Sequence, residues 1–179
     1  MGVGRDEDDQ LGRQLREALG SAAPKSVAVL CVGNVERGDD GYGPAVAAAL
    51  ARRLGSRVFD CGTTPENDLA RAAALEPDAV LFVDAVHLGA EAGSLQVLRP
   101  DELRSDDLST HAGSLEHCAE FLEQACGARS IVLAAQPESV EQGQALSAAV
   151  SAAVVRAARV LTALLGPGPQ SRRVRRAGT

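Results

Sequence analysis

The sequence has no tryptophan, and its aromatic residues are one Tyr and three Phe, 2% of 179 residues. That scarcity argues against a surface that binds RNA or single strands by stacking bases on aromatic rings. It also leaves Ala, Val and Leu to build the core, which suits helices packed closely on a sheet. Positive charge is in deficit as well. The formal net charge is −6, which disfavours a phosphate-backbone partner, so no nucleic acid is expected. The four cysteines, Cys31, Cys61, Cys118 and Cys126, include no C-x-x-C pair, so neither a redox motif nor a zinc knuckle is signalled. The first ten residues, MGVGRDEDDQ, are acidic and lack the apolar segment of a secretory leader. No apolar stretch of about 18 residues is free of charge, so no membrane span is expected. A reducing cytoplasm with free thiols is the expected setting.

Familiar catalytic loops are missing too. Gly33, Gly38, Gly41 and Gly43 are not spaced as G-x-G-x-x-G, no G-K-[ST] follows them, and there is no G-x-S-x-G elbow. No Cys-His pair stands in a familiar local signature, so a nucleophilic peptidase is not indicated.

What is present is a 45% hydrophobic chain long enough for one domain with a real core. Its ends differ from its middle. Residues 1–25 form an acidic extension in which Leu11, Leu15 and Leu19 fall at helical spacing. Residues 166–179 open on Gly and Pro and carry Arg172, Arg173, Arg175 and Arg176, the pattern of a flexible basic tail. Between them, residues 26–165 alternate strand and helix. SVAVLCVG (26–33), RVFDCG (57–62), AVLFVDAV (79–86), SLQVLRP (94–100) and SIVLAAQP (130–137) read as strands, the fourth as a hairpin partner of the third or as an edge. Helices are expected over 43–54, from a capping box at Thr63 and Glu66 to Leu75, over 114–126, and over about 143–165. Strands apolar on both faces, alternating with helices, predict an α/β fold with a mostly parallel sheet covered on both sides.

Ligands of such sheets gather beyond the carboxyl ends of the strands. Here those ends carry Asp39 and Asp40, Asp60, Asp84 and His87, the segment LSTHAGSLEH with His111 and His117, and Gln136-Pro137-Glu138. Read alone, an aspartate before a helix is as well explained as a cap or a turn residue. Taken together, Asp40, Asp84 and one of the histidines would give a metal two oxygens and a nitrogen, with positions left open. Converging carboxylates also need a proton or a cation to relieve their repulsion. The residues by themselves leave the choice of histidine open.

The motifs LCVGN, GDDGYGP, DCGTTPENDL, LFVDAV, THAGSL and QPES, in this order over roughly residues 27–160, closely resemble the hydrogenase maturation endopeptidases, which trim the large subunit of nickel–iron hydrogenases. PEN after DCGTT and the doubled aspartate are most similar to the branch acting on formate-hydrogenlyase-type subunits. The resemblance implies a three-layer sandwich of the phosphorylase/hydrolase-like kind, with a mostly parallel five-stranded sheet between helices. It implies removal of a short C-terminal extension from the large-subunit precursor after nickel insertion, by a peptidase classed in the family as aspartic. Asp40, Asp84 and His111 fall on the family's catalytic, metal-contacting positions. Nickel would arrive in the substrate, with no tightly bound cofactor of the protein's own, and a monomer is expected. Asp39 would cap the following helix or orient the loop, and glycines 38, 41 and 43 would let the loop turn. Departures are Ala92, where the family often has proline, the extra His87, and the two chain ends. A checkpoint protein that binds the nickel site without cutting, and a small-molecule hydrolase with a resident metal, are the alternatives.

Overall fold

A computed structural model describes residues 3–103 and 112–166 of the chain. Five strands form one sheet: β1 (Val27–Val32), β2 (Val58–Gly62), β3 (Ala79–Ala85), β4 (Leu95–Leu98) and β5 (Arg129–Ala135). Their order is β2-β1-β3-β5-β4, with every pair parallel except β4 and β5. The strands that sequence marks as apolar on both faces are the central ones, for β1 and β3 are buried along their whole length. β4 is an edge, as one of the two expectations had it. It pairs with β5 and not with its sequence neighbour β3, so no hairpin forms.

Alternation along the strands divides the core. Val27, Val29 and Cys31 of β1, with Leu81 and Val83 of β3, face α1 (Val3–Leu19), α2 (Tyr42–Leu54) and α5 (Ala148–Leu165). Ala28, Leu30 and Val32, with Val80 and Phe82, face α3 (Leu69–Ala73) and α4 (Ala112–Cys126). The result is the three-layer α/β sandwich expected, built almost wholly from small aliphatic side chains.

Three local details depart from the sequence reading. The segment after β2 begins as a 3-10 turn, Pro65–Asp68, with Thr64 rather than Thr63 at its start and no side-chain cap bond. Proline at the first position fits such a turn, but a Thr63 capping box is not formed. α5 begins at Ala148, later than residue 143, with Ser147 Oγ accepting from Val150 N at 3.1 Å as its cap. The N-terminal helix is longer than its leucine spacing suggests, and it packs on the domain. Leu11, Leu15 and Leu19 are buried in the same core as α5. Glu7 and Asp8 lie at 3.2 and 2.6 Å from Arg156 and Arg159 of that helix.

By length and composition alone, α5 would suffice to cross a membrane, with a mean hydropathy of 1.7 over 18 residues. Its charges, Arg156 and Arg159, pair with α1, and its apolar stripe, including Val150, Ala157 and Leu161, is buried in the core. These pairs and that stripe fasten the helix to the domain.

Candidate functional site

The carboxyl ends of β1 and β3 lie side by side, because the two strands pair directly and in parallel. Asp84 is the next-to-last residue of β3 and fully buried. It shares its side of the strand with Val80 and Phe82, and its Oδ1 accepts from Ala85 N at 2.9 Å. Its position follows from the strand itself, since residues two apart share a face.

Asp40 reaches the same edge by another route. After β1 the chain passes through Gly33 and Asn34 into a 3-10 turn, Gly38–Gly41, that leads straight into α2. Asp40 is 4% exposed, and its Oδ2 accepts from Asn34 N at 3.0 Å. The N-terminal end of α2 supplies a partial positive charge near both aspartates of the turn. The turn packs against β3, and the first residues of α2 press on the strand ends. A Cβ on Gly43 would lie 2.1 Å from Val32 O and 2.7 Å from Val83 O. Only glycine allows that approach, so Gly43 brings the Asp40 turn to the residue before Asp84. Gly38 has the positive φ expected of a turn glycine, 54°. Gly41 does not, with φ −72°. Sequence reasoning missed Gly33, where a Cβ would fall 1.9 Å from Asp40 O.

Asp39 does not cap α2, whose N-cap, Gly41, makes no side-chain bond. Its carboxylate, 1% exposed, turns instead to the connection between β5 and α5. Oδ2 accepts from Glu138 N at 2.8 Å and Ser139 N at 3.3 Å, and Oδ1 from Ser147 N at 2.6 Å. Adjacent aspartates therefore have different surroundings, one at the strand edge and one inside a loop brace.

Gln136 is a second residue whose part was not read from sequence. Its Oε1 accepts from Leu88 N at 2.6 Å and Ala90 N at 3.4 Å, and its Nε2 donates to Pro137 O at 2.9 Å. It thereby holds the loop that follows Asp84. The signal was its place at the end of an apolar strand, where a neutral amide has no solvent and must find main-chain partners.

His111 lies outside the described residues. Directly after it comes α4, where Ser114 Oγ donates to Glu66 Oε2 at 3.3 Å and ties that helix to the turn after β2. His87 and His117 are exposed. Asp40 and Asp84 thus both stand at the carboxyl ends of adjacent parallel strands, Asp84 on β3 and Asp40 in the turn after β1. Among the described residues, no three His, Cys, Asp or Glu side chains cluster closely enough to hold a metal.

Three of the four cysteines, Cys31, Cys61 and Cys118, are poorly suited to nucleophilic work. Burial pushes the Cys61 thiol from its ordinary value of 9.0 to about 12, with the nearby Asp68 carboxylate adding to the effect. Burial raises Cys31 well above the same value and raises Cys118 as well. A thiol so shifted is protonated at neutral pH, and the thiolate is the reactive form.

Residues 44–164 match the sequence model of one family, described as hydrogenase maturation protease. That span contains Asp84 and His111, and Asp40 precedes it. The hydrogenase 3 maturation protease of Escherichia coli strain K12 is 36% identical over 115 residues, 63% of this chain and 73% of that protein. A putative hydrogenase maturation protease of Methanocaldococcus jannaschii is 24% identical over 127 residues, 65% and 75% of the two chains. Among solved structures, the NiFe hydrogenase maturation protease of Thermococcus kodakarensis KOD1 superimposes with a TM-score of 0.74 at 28% identity. The match covers 84% of this chain and 97% of that one. The solution structure of an Escherichia coli endopeptidase gives 0.65 at 29% identity, over 78% and 88%.

Proposed function

The chain belongs to the hydrogenase maturation protease family, and from that premise we propose that it removes a short C-terminal extension from the nickel-loaded large-subunit precursor of a nickel–iron hydrogenase. The single observation that carries the reading is that Asp40 and Asp84 both stand at the carboxyl ends of adjacent parallel strands, on the fold that these proteases share.

Nickel enters as part of the substrate. Asp40 and Asp84 offer it oxygen and His111 offers it nitrogen, donors that suit a nickel ion. Two carboxylates at one edge repel each other, so a cation presented by the precursor is attracted where an apo precursor is not. Recognition of the ion docks the precursor and sets the scissile peptide beside the edge, and cleavage then waits for a correctly filled precursor. Hydrolysis is of the aspartic type: a carboxylate takes a proton from the attacking water and returns it to the leaving amine as the C–N bond breaks, and no acyl-enzyme forms. The raised thiol pKa values of Cys31 and Cys61 support that choice over a cysteine nucleophile. The large-subunit precursor is the partner, in the cytoplasm, and the protein works as a monomer without a resident cofactor.

The test is mass spectrometry of a large-subunit precursor, nickel-loaded and nickel-free, after incubation with the protein. Loss of a short C-terminal peptide from the loaded sample alone is the expected result. Equal cleavage of both samples would remove nickel from the account. No cleavage, with capture of the loaded precursor, would leave a checkpoint protein that binds without cutting.

A further inference from the structure

Asp39 is buried, adjacent to the proposed nickel-contacting Asp40, and turned away from the strand edge toward a segment nearly a hundred residues distant. Its two oxygens accept three main-chain N–H groups, from Glu138, Ser139 and Ser147. Main-chain bonds run between the same two segments. Asp39 N donates to Ser139 O at 2.9 Å, Gly38 N to Gln144 O at 3.2 Å, and Gly143 N to Glu36 O at 2.7 Å. The turn carrying Asp40 is thus sewn to the connection between β5 and α5 at Asp39 and at the residues just before it. An ordinary cap would satisfy the helix that follows it, and this carboxylate bonds nothing in α2.

We propose that Asp39 is a positioning residue for Asp40, its carboxylate locking the Gly38–Gly41 turn against residues 138–147 so that Asp40 stays at the strand edge. The proposal rests on the role given to Asp40 above. Asp40 needs such help because its turn has only four residues, and its side chain accepts from Asn34 N, within the same loop. A shift of the turn would carry Asp40 with it. The charge on Asp39 matters as well as its shape, because both oxygens act as acceptors. An asparagine of the same size would set an NH2 group against either the Ser147 amide or the Glu138 and Ser139 pair.

The experiment compares Asp39→Asn with Val160→Ala, a core truncation between α5 and α1 away from the edge. It follows precursor cleavage and, separately, amide hydrogen exchange of the protein alone. Asp39→Asn is expected to lower kcat about 10- to 100-fold, the usual cost of losing a group that orients a ligand. It should also speed exchange at Asn34, whose N–H reports the Asp40 side chain. Val160→Ala should lose stability while keeping wild-type kcat and Asn34 exchange. Should Asp39→Asn fail to fold, Ser147→Pro tests the other end of the brace. Its φ of −62° already suits proline, and the change removes the Ser147 N–H donor, together with the Oγ cap on Val150 N, while leaving Asp39 intact. It should speed Asn34 exchange in the same direction. Ser147→Ala, which loses the cap alone, is its control and should leave Asn34 exchange unchanged. Wild-type kcat in Asp39→Asn, or Asn34 exchange unchanged in folded Asp39→Asn or Ser147→Pro, overturns the proposal. A wild-type protein that cleaves no precursor counts against the function instead, since Asn34 exchange is read without substrate.

Discussion

Asp84 and Asp40 arrive at one edge by opposite means. Asp84 stands on a strand with paired neighbours on both sides, so register and alternation place it. Asp40 stands in a four-residue turn whose position depends on close glycine contacts and on a second segment sewn to it by Asp39. The difference teaches that a strand-borne carboxylate is positioned by the sheet, whereas a loop-borne one needs partners brought from far along the chain. It also separates two kinds of fragility. Changes near Asp84 should act through the sheet core, and changes near Asp40 through a few hydrogen bonds and contacts.

The largest expected effect removes the comparison altogether. Asp84→Asn and Asp40→Asn each keep shape and lose charge, and each should slow precursor cleavage by roughly a thousandfold while circular dichroism stays native. Full activity in either variant would end the role given to that residue. His111→Ala is expected to fall with them.

Next comes a contrast inside the turn. Gly43→Ala drives a methyl into Val32 O, which a strand backbone cannot yield to, and should cost about 3 kcal/mol in urea unfolding. Gly41→Ala has no atom nearer than 3.4 Å and an ordinary φ, so it should change stability by less than about 1 kcal/mol. Equal losses would mean that the turn as a whole, and not the close approach to β1, is what matters.

A smaller effect sharpens the Asp84 side. Gln136→Met leaves the amides of Leu88 and Ala90 without their acceptor and should cost about 1–2 kcal/mol, with faster exchange at Leu88. If the strand alone places Asp84, kcat should fall far less than in Asp39→Asn.

The smallest effect concerns groups away from the edge. Burial raises the pKa values of Cys31, Cys61, Cys118 and Tyr42, so folding favours their protonated forms. Their contribution to stability is complete below the ordinary thiol value of 9.0. It is lost as pH rises from there toward the folded value of about 12 for Cys61, because the unfolded chain then binds fewer protons. The urea midpoint should be flat from pH 7 to 8 and should decline above about 9. Iodoacetamide at neutral pH should leave cleavage unchanged.

Legibility in the sequence follows the same divide. The five strands could be read because β1, β3 and most of β5 are apolar on both faces, a pattern that local composition carries. Asp84 was readable for the same reason, as a charge at the end of such a run. The pairing partner of β4 was not, because adjacency in sequence does not say which edge a short strand takes. Asp39 and Asp40 look alike in sequence, and what separates them lies elsewhere. The partners of Asp39 are 99, 100 and 108 positions away. The late start of α5 has the same source, because the residues before its Ser147 cap are taken up in the brace. The position of His111 was read from the family resemblance and lies outside the described residues.

The brace also sets an order of events during synthesis. A ribosome delivers β1 and the aspartate turn early, but the amides that grip Asp39 belong to residues 138–147, near the end of the chain. Contacts so distant along the chain form only after the intervening sheet exists. A nascent or truncated chain can hold most of its strands and still lack a fixed Asp40. On the role proposed for Asp40, its edge is set only once residues 138–147 have been made.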